Sequence, residues 1–113
     1  MTEHSRRVVE AALTLMALRF SERLPLRRLA AEVGASPAHL CRIFRTATGM
    51  TVHQHLVRLR VDAAVRPVLD GVSLTRLAFD LGFASHSHFT AAFRSVHGLP
   101  PSAYRAGAEA RRI

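Results

Sequence analysis

Apolar residues along this chain recur at steps of three and four, seldom in alternation, and Gly or Pro interrupts them roughly every 15 to 25 residues, so the pattern predicts an all-α fold. Val9, Leu13, Met16 and Phe20 place a first amphipathic helix over residues 4–20, ending before SERLP. Leu26, Leu29, Ala30 and Val33 mark a short second helix from Leu26 to Val33 that stops at Gly34. Ser36 before Pro37 is the arrangement of an N-cap followed by proline at the first helical position; the helix it opens runs to about Ala47 and closes at Gly49. Residues 51–70 read as a longer helix, apolar over a wide arc, with Leu56, Leu59 and Ala63 on one side and Val57, Val61, Ala64 and Val68 on another. Pro67 removes a backbone donor there and is expected to kink or fray the last turn.

The pattern then repeats. Leu29, Ala30 and Gly34 recur 48 positions later as Leu77, Ala78 and Gly82, while Ser36, Leu40, Phe44 and Gly49 recur 49 positions later as Ser85, Phe89, Phe93 and Gly98. The second turn is therefore one residue longer, near Phe83 and Ala84. Two short helices joined by a glycine-containing turn are a helix-turn-helix, and a single repeat makes a pair of like modules rather than a solenoid. The expected organisation is a first homeodomain-like module over residues 1–50, a linker helix over 51–70 and a second module over 71–113, about seven helices in all. GLPPSAYR starts a short last helix with proline, and the basic tail EARRI is expected to fray.

Each module holds one candidate recognition helix, residues 37–47 and 86–96. In the first, Leu40, Ile43, Phe44 and Ala47 form the core stripe, which leaves Ala38, Cys41, Arg42 and Arg45 outward. In the second, Phe89, Ala92, Phe93 and Val96 face in, leaving His86, Ser87, Thr90, Ala91 and Arg94 outward. Both outward faces carry arginine and no acid. A helix in the major groove reads base edges while cationic or polar neighbours fix its register on phosphates. Arg42 can bridge guanine O6 and N7, a contact worth roughly 1 to 3 kcal/mol of discrimination. The alternative for Arg42 and Arg45 is a solvated helix face, and for His86 an exposed position beside the N-cap. Cys41 is outward by periodicity, although small thiols favour burial. At 1.5 Å per residue the linker helix spans about 27 Å, comparable with the 34 to 36 Å between like faces of DNA one turn apart, so one chain can offer both helices to successive major grooves.

Charge strengthens that picture. The chain has 113 residues, a size for one compact unit, and a formal net charge of +8. All sixteen of its basic residues are arginine. An excess of this sign favours nucleic acid or an anionic membrane surface, and the guanidinium fork suits phosphate oxygens and guanine edges. Codon preference alone would account for the missing lysine, but not for the excess of positive over negative.

Other chemistries fit poorly. One cysteine permits no internal disulfide and suits a reducing compartment. The N-terminus has no signal-peptide pattern, and the longest apolar run, VVEAALTLMAL, is far too short to span a bilayer, so the expectation is a soluble cytoplasmic protein with no membrane partner. His53 and His55, like His86 and His88, stand two apart and point to nearly opposite sides of a helix, so no metal site is expected. Cys41 has no glycine-rich oxyanion loop or orienting acid, so neither an enzyme nor a cofactor is expected.

The stretch LAFDLGFASHSHFTAAFRSVHGLPPSAYR closely resembles the C-terminal signature of the AraC/XylS family of bacterial transcription regulators, through Leu77, Ala78, Gly82, Phe83, Ser85, Phe89, Phe93, Arg94, Gly98, Pro101, Tyr104 and Arg105. The first half, from Leu26 through LVRLRVDAA, is similar to the family's first module, so the resemblance covers about residues 5–106. It implies seven helices, binding to an asymmetric double-stranded DNA site in the nucleoid, and activation through contact with RNA polymerase. It also implies base contacts from Ala38, Cys41 and Arg42 in the first reading helix and from His86, Ser87 and Ala91 in the second. Ala38, Cys41 and Ala91 are smaller or less polar than the residues that often do this work, which shifts the second helix toward shape and phosphate contacts. Most members carry a separate ligand-sensing or dimerising domain, and none is expected within these residues. The chain is either a stand-alone regulator or the DNA-binding portion of a longer protein.

Two rival readings stay open at this level. One is a degenerate helix-turn-helix pair that binds the transcription machinery as a protein-interaction module and uses arginine for solubility. The other, RNA binding, finds little support, since the single Tyr104 and the core-facing phenylalanines are expected to leave no exposed stacking platform.

Overall fold

The computed structural model describes residues 1–111. Among them are seven helices and no strand: α1 (Glu3–Arg19), α2 (Leu26–Glu32), α3 (Pro37–Thr48), α4 (Val52–Leu69), α5 (Leu74–Asp80), α6 (His86–His97) and α7 (Pro101–Arg111). The expected all-α, double helix-turn-helix architecture is the observed one. The chain divides into two compact units, Met1–Val57 and Arg58 onward, so the division falls inside α4.

In the first unit α3 packs on α1 and α2. Val8, Val9, Ala12 and Met16 of α1, Leu29 and Ala30 of α2, and Leu40 and Phe44 of α3 supply its interior. Thr2 caps α1 by accepting from the Ser5 amide at 3.0 Å. Thr51 and Gln54 cap α4 reciprocally, each side chain accepting from the other's amide at 2.9 and 3.0 Å. Arg19 reaches across to the Glu32 carboxylate at 2.9 Å.

In the second unit α6 packs on α5 and α7. Phe83, Phe89 and Phe93 form an aromatic core with neighbouring ring centroids 5.2 and 5.9 Å apart. His97 stacks beside Phe93 at 4.6 Å, and its buried Nε2 stands 3.7 Å from Asp62 Oδ1, beyond hydrogen-bond reach. Arg60 is buried to 7% exposure with its guanidinium over the Phe83 ring, and desolvation lowers its pKa. A guanidinium at that depth stays charged.

Several expectations need correction. Pro67 does not fray α4, which continues past it to Leu69. The proline still withdraws one N–H from the ladder, but its carbonyl is used in closing the helix: Val72 N donates to Pro67 O at 3.1 Å and Gly71 N to Val68 O at 3.2 Å, a Schellman closure around Gly71 at φ 83°. Arg105 of α7 then donates from Nε to Val68 O at 2.7 Å and from Nη2 to Val72 O. The tail does not fray where it is described, because α7 includes Glu109–Arg111; Arg112 and Ile113 lie outside the described residues. Ala47 is exposed, since the turn of α3 approaching Gly49 leaves the core. Phe79 is 78% exposed because Leu77, Ala78 and Leu81 occupy the inner face of α5, so not every phenylalanine faces the core.

Candidate nucleic-acid interface

Both candidate recognition helices, α3 and α6, are built by the same local signals. Each follows a Schellman closure: Ala35 N to Ala30 O and Gly34 N to Ala31 O in the first, Phe83 N to Ala78 O and Gly82 N to Phe79 O in the second, all 3.0–3.3 Å. Ser36 then caps α3 by accepting from the His39 amide at 3.2 Å, with Pro37 at the first helical position, and Ser85 caps α6 by accepting from the His88 amide at 3.0 Å. Each helix ends on a left-handed glycine, Gly49 and Gly98, whose amide donates to the carbonyl of Arg45 or Arg94 at 2.8 Å. The extra residue of the second turn is present as expected, between Phe83 and Ser85.

The predicted faces emerge outward. Ala38, Cys41, Arg42 and Arg45 of α3 are exposed, as are His86, Ser87, Ala91 and Arg94 of α6, while Thr90 is half-buried. His86, Ser87, Thr90, Ala91 and Arg94 lie together along an open cavity of about 740 Å³ that also takes in Ser95, Gly98 and Pro100, none of which the sequence reading assigned to the interface. Arg42 borders a smaller cavity of about 270 Å³ with Met1, Thr2, Ser5, Ile43 and Thr46, and its Nη2 lies 3.2 Å from His39 Nδ1. Cys41 lines a separate, mainly apolar cavity of about 280 Å³ with Leu24, Leu26, Val52 and Leu56, which reconciles its outward register with its apolar character.

Charge is sorted between faces. Glu3 holds Arg6 and Arg7, Glu32 holds Arg19, Asp62 holds Arg58, Asp70 holds Arg66 and Asp80 holds Arg76. Among the described residues no carboxylate lies within 4.0 Å of Arg27, Arg28, Arg42, Arg45 or Arg94. Those carboxylates thus pair with arginines on other surfaces, and the outward faces of α3 and α6 keep their positive charge uncompensated. Near α3, His55 lies edge-on to Phe44 at 5.6 Å, and burial lowers its imidazole pKa. Among the described residues no three His, Cys, Asp or Glu side chains gather as a metal site, and no helix is long and apolar enough to cross a membrane.

A family model described as "Helix-turn-helix domain" matches residues 29–107. The MmsAB operon regulatory protein of Pseudomonas aeruginosa is 36% identical over 85 residues, 74% of this chain. The chain spans 27% of the length of that relative. A solved DNA-binding domain of AdpA, described as a global transcriptional factor in complex with a target DNA, is 30% identical with a TM-score of 0.82, over 92% of this chain and 95% of that one. A Chromobacterium violaceum transcriptional regulator described as an AraC-type DNA-binding domain protein is 25% identical with a TM-score of 0.81, over 93% and 95%. With duplicated, identically capped reading helices, the chain belongs to the AraC-type family of helix-turn-helix DNA-binding domains.

Proposed function

We propose that the chain binds double-stranded DNA in a sequence-specific manner, laying α3 and α6 into successive major grooves, and that it regulates transcription without catalysing a reaction. The observation that carries the reading is the pair of exposed arginine-bearing faces, each on a helix fixed by a serine cap and each without a carboxylate partner. α4 is long enough to serve this geometry, its 18 residues amounting to about 27 Å. Arg42 takes the base-reading role, with Ala38 and Cys41 contributing apolar contact. Arg45 and Arg94 take phosphates, while His86, Ser87, Thr90 and Ala91 follow the groove by shape and hydrogen bonding. The AdpA domain's complex with DNA supports the reading by likeness. Its extension to activation, through contact with RNA polymerase, rests on the family resemblance.

Selection from a random duplex library tests the proposal. The expected product is a bipartite motif with half-sites one helical turn apart, bound with a steep salt dependence because phosphate contacts release counterions. A flat selection beside tight capture of a transcription-machinery subunit would instead make the module a protein-interaction device.

A further inference from the structure

We infer that His39 positions Arg42 for base reading by accepting a hydrogen bond from its guanidinium; the inference rests on the DNA-reading role proposed for Arg42. A guanidinium carries five donors and no acceptor, and it stays protonated in proteins. Its Nη2 lies 3.2 Å from His39 Nδ1, and since a guanidinium can only donate, Nδ1 is the atom that accepts in this contact. The two residues stand three apart on α3, the spacing at which helical side chains meet.

The holder is itself held. His39 is half-buried in the first turn of α3, and its amide is the one that donates to Ser36, so the N-cap that starts the helix also fixes the backbone carrying the acceptor. Other side chains do not compete for the guanidinium. Thr2 and Ser5, which share the cavity beside Arg42, are bonded to each other at 3.0 Å. On the helices packed against α3, Glu3 is occupied by Arg6 and Arg7 and Glu32 by Arg19, and Glu10 of α1 makes no ion pair with Arg42. An exposed arginine otherwise samples many rotamers, and ordering it on binding opposes affinity; the imidazole restricts that freedom beforehand.

The test binds the full chain to the duplex selected from the random library and to versions changed at single base pairs. Arg42→Ala first identifies the base pair whose preference it removes. At that base pair His39→Ala is expected to lower the ratio of matched to mismatched affinity about threefold to tenfold, the size of one hydrogen bond, while preferences elsewhere and the thermal midpoint stay put. His39→Asn, whose Oδ1 takes the place of Nδ1 as a neutral acceptor, is expected to keep the ratio within about twofold of the parent. If Arg42→Ala alters no preference, the role of Arg42 falls and the inference goes with it. A lost preference in Arg42→Ala beside a parental ratio in His39→Ala leaves base reading standing and overturns the inference alone. Equal losses in the Ala and Asn variants, or losses at every base pair, overturn it as well, since an acceptor would not be what matters.

Discussion

In the first module Phe44 lies beneath the reading helix, edge-on to His55; in the second, Phe83, Phe89 and Phe93 pack ring against ring and bring His88, His97 and Tyr104 with them. Yet the turns that launch the two helices close with the same pair of backbone bonds and the same serine cap. In the second module the residue after the glycine is a buried phenylalanine, and the additional Ala84 separates it from Ser85. The insertion falls between the bonds that close one helix and those that open the next, so neither set is disturbed. A reading helix is thus specified by its termini, and the interior beneath it is free to differ. The outward faces diverge as well: Arg42 offers a bidentate fork in the first, whereas imidazole, hydroxyl and methyl groups surround Arg94 in the second.

That comparison can be broken most forcefully from the inside. Phe93→Ala should destabilise the second unit by about 3 to 5 kcal/mol, as should Phe44→Ala the first, measured by denaturant unfolding followed by circular dichroism. A much smaller loss for Phe93 would mean that its ring partners close over the gap. Next come the faces. Arg42→Ala should cost roughly 1 to 3 kcal/mol of discrimination at one base pair, while Arg94→Ala should weaken all duplexes alike and reduce the salt slope by about one, both read by fluorescence anisotropy. Identical behaviour of the two variants would erase the division between base reading and phosphate contact.

Closure of the first turn is a smaller lever. Gly34 has φ 73°, and a Cβ there meets nothing within 4 Å, so Gly34→Ala should destabilise through backbone conformation alone, by about 1 to 2 kcal/mol in thermal unfolding. The smallest effect is on pH. Because burial holds the folded-state pKa of His55 below its unfolded value of 6.5, the stability it supports is complete above that value and declines as pH falls through the folded pKa. Melting the parent and His55→Gln at about pH 7.5 and 5.5 should show the larger acid loss in the parent.

Helix order and the turn glycines were legible because each is marked by neighbours in the chain: Ser36 before Pro37, glycine after an apolar stripe, and a repeat that exposed α5 through its likeness to α2. The outward placement of eight of the nine candidate positions was legible from the same periodicity, Thr90 being half-buried instead. What escaped depends on where side chains travel. Arg60 reads as polar, yet it is buried with its guanidinium over the Phe83 ring, and nothing local announces that. Fraying at Pro67 was misjudged because its missing donor is visible in the sequence while the use of its carbonyl depends on a turn still to come. The His39 contact depends on rotamers, and the cavity at Cys41 on residues from α2 and α4.

The grip of Arg105 on the α4 terminus is a long-range clasp. Its partner carbonyl at Val68 lies 37 residues earlier, whereas the bridge from Arg19 to Glu32 spans 13. The second unit thus closes on a contact between stretches of chain far apart in sequence, where the first is bridged between neighbouring helices.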